Sequence, residues 1–243
     1  AIAPLIAGIV AEIAGWRWAI GISSIALPLA LVALLILEDT RPPQPRTLAT
    51  QLRGALEVIR QPALITNLVT SILLFIVIFG VFLTTLPVHL EEEFGYGPGL
   101  RGLLLSTPAI GSTFIAFNLG RIRSRFTART VLIAASSCIA VAALGVGLAP
   151  LGILIAASAV IYGLGDGAGI STLQDLAVSS TNSDQRGSVT AAWVSSVRLG
   201  QTIGPLGAAA LFSATSTTFT MVVGAGIFAV VAVTFTVAPL GAD

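Results

Sequence analysis

Stretches of about twenty apolar residues, each long enough to cross a bilayer, follow one another along this chain. The clearest occupy 18–37, 65–86, 103–119, 131–148, 151–170 and 218–237, and a further one, 189–212, is interrupted by Arg198. A helix rises about 1.5 Å per residue, so about twenty residues span a hydrocarbon core of about 30 Å. Lipid offers peptide groups no partners, and a helix bonds its own backbone. The pattern predicts an all-α polytopic membrane protein. Charged residues are 9% of the chain, where a soluble domain carries about a quarter.

Several function classes drop out on composition. All 12 basic residues are arginine, and they are scattered over short loops rather than gathered on one water-facing surface. No nucleic-acid footprint results. The chain holds 1 Cys and 1 His, and no carboxylates paired along a helix, so no metal site is expected. A phosphate-binding loop and a nucleophile elbow are also absent. No cofactor, enzymatic reaction or ATP-driven step is expected. Cys138 lies inside an apolar run and reads as a small hydrophobe.

Arginine placement orients the helices, because short cytoplasmic loops collect positive charge. One set of alternate loops carries Arg41, Arg46, Arg53, Arg60, Arg121, Arg123, Arg125, Arg129 and Arg186. The other carries only Arg17 and Arg101, with Glu12, Glu91, Glu92 and Glu93 beside them. The first set is therefore read as cytoplasmic, and the C-terminus at Asp243 with it. Trp16 and Trp18 fall at the outer interface, where amphipathic rings settle. The segment 1–14 is apolar but too short to cross, and no basic stretch precedes it. It reads as the second half of a helix, and the chain as a fragment whose N-terminal half is missing.

Three regions follow. Residues 1–37 form the end of an N-terminal helix bundle. Residues 38–61 form a cytoplasmic linker, extended at Pro42, Pro43 and Pro45, then an amphipathic helix with Leu48, Leu52, Ala55, Leu56 and Ile59 on one face. Residues 62–243 form a compact antiparallel bundle of six helices.

Ionisable groups inside lipid are costly, about 2.5–3.5 kcal/mol at a helix centre. Asp166 and Arg198 lie deep within successive apolar runs. Three readings compete: a protonatable coupling or substrate-binding group partnered by Arg198, a structural ion pair, or an aspartate that meets cytoplasmic water. Gly163, Gly165, Gly167 and Gly169 surround Asp166 and give two small-xxx-small faces for close helix approach. Asn67, Gln174 and Gln201 are further candidates for proton or substrate contact, with interhelical glue as the commoner role of such side chains. His89 reads as a solvated interfacial group. Phe75, Phe79, Phe82 and Phe114 stand at helical spacing, as core or lipid-facing residues do more often than cavity linings.

Three local patterns resemble the major facilitator superfamily, from the end of its fifth helix through its twelfth. Ala3, Pro4, Ala7 and Gly8 resemble the fifth-helix antiporter motif Gly-Pro-x-x-Gly-Gly, with alanine in place of two glycines. Gly15, Trp16, Arg17 and Trp18 are similar to the outer turn that follows it. Gly120, Arg121, Arg123, Arg125 and Arg129 resemble the basic loop between helices eight and nine, with Ser124 and Thr127 where the family has aspartate and glycine. Arg186, Arg198, Gly200, Gln201, Gly204 and Pro205 resemble the entry and body of helix eleven in drug exporters.

The resemblance implies a major-facilitator-type six-helix bundle, helices seven to twelve, joined to helix six and part of helix five. It implies two such halves rocking about a midplane site in a cell membrane. The antiporter-like motif implies drug:proton antiport, with small lipophilic or amphipathic molecules and protons as partners and Asp166 as the proton carrier. An uptake symporter or facilitator of the same fold is the first alternative. A non-transporting scaffold or sensor is the second, and it predicts that Asp166 and Arg198 tolerate apolar replacement.

Overall fold

A computed structural model describes residues 3–36, 61–179 and 186–237. The amphipathic helix expected within 38–61 lies outside the described residues. Eight helical rods are described: α1 (Ala3–Ala14), α2 (Trp16–Ile36), α3 (Pro62–Glu92), α4 (Pro98–Arg125), α5 (Ala128–Leu148), α6 (Gly152–Ser179), α7 (Arg186–Ala214) and α8 (Thr217–Val237). Six of them, α2 to α6 and α8, are long and apolar enough to cross a membrane. The seventh long rod, α7, carries Arg198, Gln201 and Pro205 together with several serines and threonines. Successive rods run antiparallel. One end of the bundle carries Arg121, Arg123, Arg125, Arg129 and Arg186, and the other carries Glu12, Glu91, Glu92 and Glu93. These are called the arginine-rich and acidic ends below.

Local chemistry sets the rod boundaries. Pro62 and Pro98 open α3 and α4, where a missing N–H is harmless and the fixed φ is already helical. Thr127 caps α5 by accepting a hydrogen bond from the Thr130 amide. The turns at Gly15 (φ 91°) and Gly95 (φ 64°) need the left-handed region that glycine enters freely. Within α3 the segment Val77–Thr85 is a π-helix. The hydroxyls of Thr84 and Thr85 donate to the Phe79 and Gly80 carbonyls at 2.7 and 2.9 Å, five residues back.

The core lies where α5 meets α6 and α8, and where α3 meets α7. Leu74, Val77, Leu132, Ile139, Ile155, Met221 and Phe228 are among its fully enclosed side chains. Phe75 and Phe82 belong to this core, whereas Phe114 is exposed. Small residues bring the rods close. A Cβ at Gly204 of α7 would stand 2.7 Å from the Ile76 carbonyl oxygen and 3.1 Å from the Gly80 nitrogen of α3. By contrast, α2 has no buried residue among those whose burial is described, and α1 buries only Gly8, against Gly102 of α4.

Two expectations change. The rods outrun the apolar stretches, so Arg121, Arg123 and Arg125 sit on the last turns of α4 and Arg129 on the first turn of α5. Only Phe126 and Thr127 separate the rods, and no basic loop exists there. Cations are favoured at a helix C-terminus, which explains why α4 continues through its arginines. His89, expected in solvent, is only 3% exposed. Because α3 continues to Glu92, the imidazole turns into the packing against α8, with Nδ1 2.9 Å from the Thr217 hydroxyl.

Candidate functional site

Asp166 stands midway along α6, about three and a half turns from the arginine-rich end at Ser179. The position is reached because α6 runs unbroken through its glycines. Gly163 and Gly167 face α4: a Cβ at Gly163 would strike the Pro108 carbonyl, and one at Gly167 would lie 3.1 Å from the Ser112 Cα. Gly165 instead faces α5, where a Cβ would lie 2.6 Å from the Ala135 carbonyl oxygen. The two small-residue faces thus serve two different neighbours. Close approach on both sides holds the carboxylate level with a cavity between α3, α4 and α6.

That cavity has a volume of about 240 Å³. Ile78, Phe82, Leu83 and Leu86 line it from α3, all within or just beyond the π segment. Leu105, Ser106, Pro108, Ser112 and Thr113 line it from α4, Tyr162 and Asp166 from α6, and Pro4 from α1. Phe82 and Tyr162 stack with ring centroids 3.5 Å apart. The Ser112 hydroxyl reaches the carbonyls of Pro108 (3.1 Å) and Gly163 (3.2 Å), tying α4 to α6 beside the cavity. No arginine lines it. Asp166 Oδ1 is buried and has no hydrogen-bond partner within the protein. A carboxylate in mostly apolar walls calls for a proton, a cationic ligand or a hydrogen-bond donor.

The other expected residues distribute as follows. Arg198 does not meet Asp166. It is exposed on α7 and donates to Gln201 Oε1 of its own helix at 2.9 Å. Among the described residues the carboxylate–arginine pairs are instead Glu91 with Arg101, and Asp175 with Arg123 at 3.5 Å. Gln174 is exposed. Asn67 is buried, with Nδ2 donating to the Leu173 carbonyl at 2.8 Å, which joins α3 to α6. Gly200 and Gly204 form the α7–α3 crossing, with Pro205 one residue on. Gly8 lies at the α1–α4 crossing and Pro4 at the cavity wall.

Of the basic group, Arg121 reaches Asn118 Oδ1 at 3.4 Å, while Gly120 and Arg125 are exposed. Arg129 donates to the carbonyls of Phe235 and Thr236 at 2.8 and 3.0 Å, capping the end of α8. Sequence reasoning missed Tyr162 and Asp175, and it named Phe82 only among four aromatics read more often as core or lipid-facing than as cavity lining. Tyr162 precedes Asp166 by one helical turn, and that spacing is a readable signal. Phe82 reaches the cavity from the π segment.

The family model described as Major Facilitator Superfamily matches the chain over residues 1–193 and over residues 89–241. No curated protein matches it.

Proposed function

Because the chain belongs to the Major Facilitator Superfamily and is a multi-pass membrane transporter rather than an enzyme, we propose that it couples export of small lipophilic or amphipathic molecules to proton entry. The observation that carries the reading is Asp166, the one carboxylate lining a mostly apolar cavity, with an unpartnered oxygen. In this reading the arginine-rich end and the C-terminus face the cytoplasm of a cell membrane, as arginine distribution favours. Substrate and proton occupy the cavity alternately while the helices rock about it. Each proton moving inward with the field brings about 2.3 kcal/mol per 100 mV.

The surfaces of α1 and α2 fit a place in a second bundle that faces α3 to α8, with 38–61 linking the two. Support comes from the exposure of the described side chains of α2 and from the glycine crossing of α1 on α4.

The test is efflux of a panel of lipophilic dyes, driven by a pH gradient, from cells expressing the complete gene. Wild-type efflux should collapse when the gradient is removed, and Asp166→Asn should lower gradient-driven efflux at least tenfold. Efflux in Asp166→Asn with unchanged rate and pH dependence overturns the assignment of Asp166.

A further inference from the structure

The back of α6 carries a second, drier recess. Tyr162 and Asp166 face the cavity, whereas Leu164 and Ala168, each two residues further on and so about 200° round the helix, face the other way. There they help to floor a groove of about 360 Å³ between α4 and α5. Both of those rods pack along α6 but scarcely touch each other, and the groove lies where they diverge. Its rims are Phe114 and Phe126, which are 59% and 53% exposed. Thr130 and Cys138 are the only lining side chains with a heteroatom. The cavity, and Pro4 of α1 with it, lies on the opposite face of α6, so the groove opens toward the bilayer.

Length and charge select what fills it. From Phe114 to Phe126 the groove follows α4 for about 18 Å, and one leaflet contributes about 15 Å of hydrocarbon. The groove thus runs from mid-membrane to the arginine-rich end, the reach of one acyl chain. At that end Arg121 and Arg125 stand one turn apart on α4, on either side of the lining residue Ile122. Both are exposed, and among the described residues neither has a carboxylate partner, because Asp175 is engaged by Arg123.

An apolar trough that ends in two unmatched guanidinium groups complements a lipid with an anionic phosphate headgroup. Arginine forks suit phosphate oxygens, and basic pockets between spanning helices recognise such headgroups. A free phosphate would leave the trough unfilled, and a zwitterionic lipid would bring its own cation to the arginines. We infer that the groove holds one acyl chain of an anionic phospholipid whose phosphate lies on Arg121 and Arg125. The chain fills the gap between α4 and α5 and fastens both to the back of α6. The site stands whether or not Asp166 carries a proton.

The probe is phosphatidylglycerol with a diazirine midway along one acyl chain. A trace of it is added to phosphatidylcholine vesicles holding the purified full-length protein, and mass spectrometry locates the crosslinks formed on illumination. They should gather on Phe114, Ala134 and Cys138, roughly fivefold above the yield from diazirine-labelled phosphatidylcholine. Val141 and Val233, which are 58% and 67% exposed, should react equally with both lipids. The double variant Arg121→Gln, Arg125→Gln should bring the phosphatidylglycerol yield down to that of phosphatidylcholine, and Arg186→Gln at the same end should not. Ala134→Phe turns a ring into the groove and should cut crosslinking of Phe114 and Cys138 roughly threefold. All four substituted residues are exposed, so these variants should fold and melt as wild type does. Equal yields from the two lipids, or a preference that survives loss of both arginines, overturns the site. Labelling unchanged by Ala134→Phe also overturns it, because headgroup attraction alone would then explain the signal. So does abolition of the preference by excess soluble glycerol phosphate, which would mark an anion site without a lipid tail.

Discussion

The two ends of the α3–α8 bundle handle buried polarity in opposite ways. Toward the acidic end the interior polar groups are paired: His89 with Thr217 between α3 and α8, and the Thr84 and Thr85 hydroxyls with the π segment's own carbonyls. Toward the arginine-rich end, the Ser71 and Thr172 hydroxyls and the Trp193 indole nitrogen are buried with no partner among the described residues, and Asn67 keeps only half its amide satisfied. Low dielectric sharpens the contrast, since a paired group there is strengthened and an unpaired one penalised. A region whose polar groups are all used inside the protein resists opening. One whose groups are left over is suited to admit water, and Asp166 lies at the boundary between the two.

The boundary itself offers the largest effect. Gly163→Val puts a branched side chain against the Pro108 backbone of α4, whose carbonyl carbon and Cα would lie 2.7 and 2.9 Å from the new Cβ. Backbone cannot yield as a side-chain tip can. Overpacking of this kind should lower stability by upward of about 3 kcal/mol and prevent recovery of folded protein from membranes. Gly187→Val, where a Cβ meets nothing within 4 Å, is the matched control. If Gly163→Val folds and melts as wild type does, α4 and α6 separate readily, and the boundary between paired and unpaired halves is not fixed by this crossing.

His89→Ala tests the paired half. It removes the bond to Thr217 and leaves a void where a 3%-exposed ring packed edge-on to Phe94 at 5.9 Å. About 2 kcal/mol should be lost, read as a lower melting temperature of the detergent-solubilised protein. Thr217→Val should recover part of it in the double variant, because it removes the buried hydroxyl that has lost its partner. A variant as stable as wild type would show that the acidic end does not depend on this pairing.

Much of this architecture is legible in the residues. Apolar runs of bilayer length yield the rods, and arginine spacing yields their alternation. Asp166 stands out because a charge in such a run demands a reason. Whether Asp166 meets Arg198 was not legible, since period and depth do not report the azimuth of a side chain. Asp166 lines a cavity with α3 and α4, while Arg198 turns outward to Gln201. The π segment was equally hidden. Its residues Val77 to Thr85 read as ordinary apolar helix, yet the extra residue per turn decides that Ile78, Phe82 and Leu83 reach the cavity. His89 was misplaced for a simpler reason: the helix continues past the last apolar residue, and burial is set by what packs outside the run.

The smallest effect is expected at the surface of the paired half. Arg101 and Glu91 form an ion pair between α4 and α3 at the acidic end, with side chains 21% and 63% exposed. So open a pair is screened by solvent and salt, and Arg101→Gln should change stability by less than about 1 kcal/mol, a difference that vanishes in molar salt. The gradient-driven efflux of the complete protein should be unchanged. A marked loss of efflux at unchanged melting temperature would mean that this pair opens and closes during transport. Sealing at the acidic end would then rest on a surface contact rather than on buried pairing. The comparison would reverse at that end: its interior bonds would be scaffold, and its exposed charges the moving part.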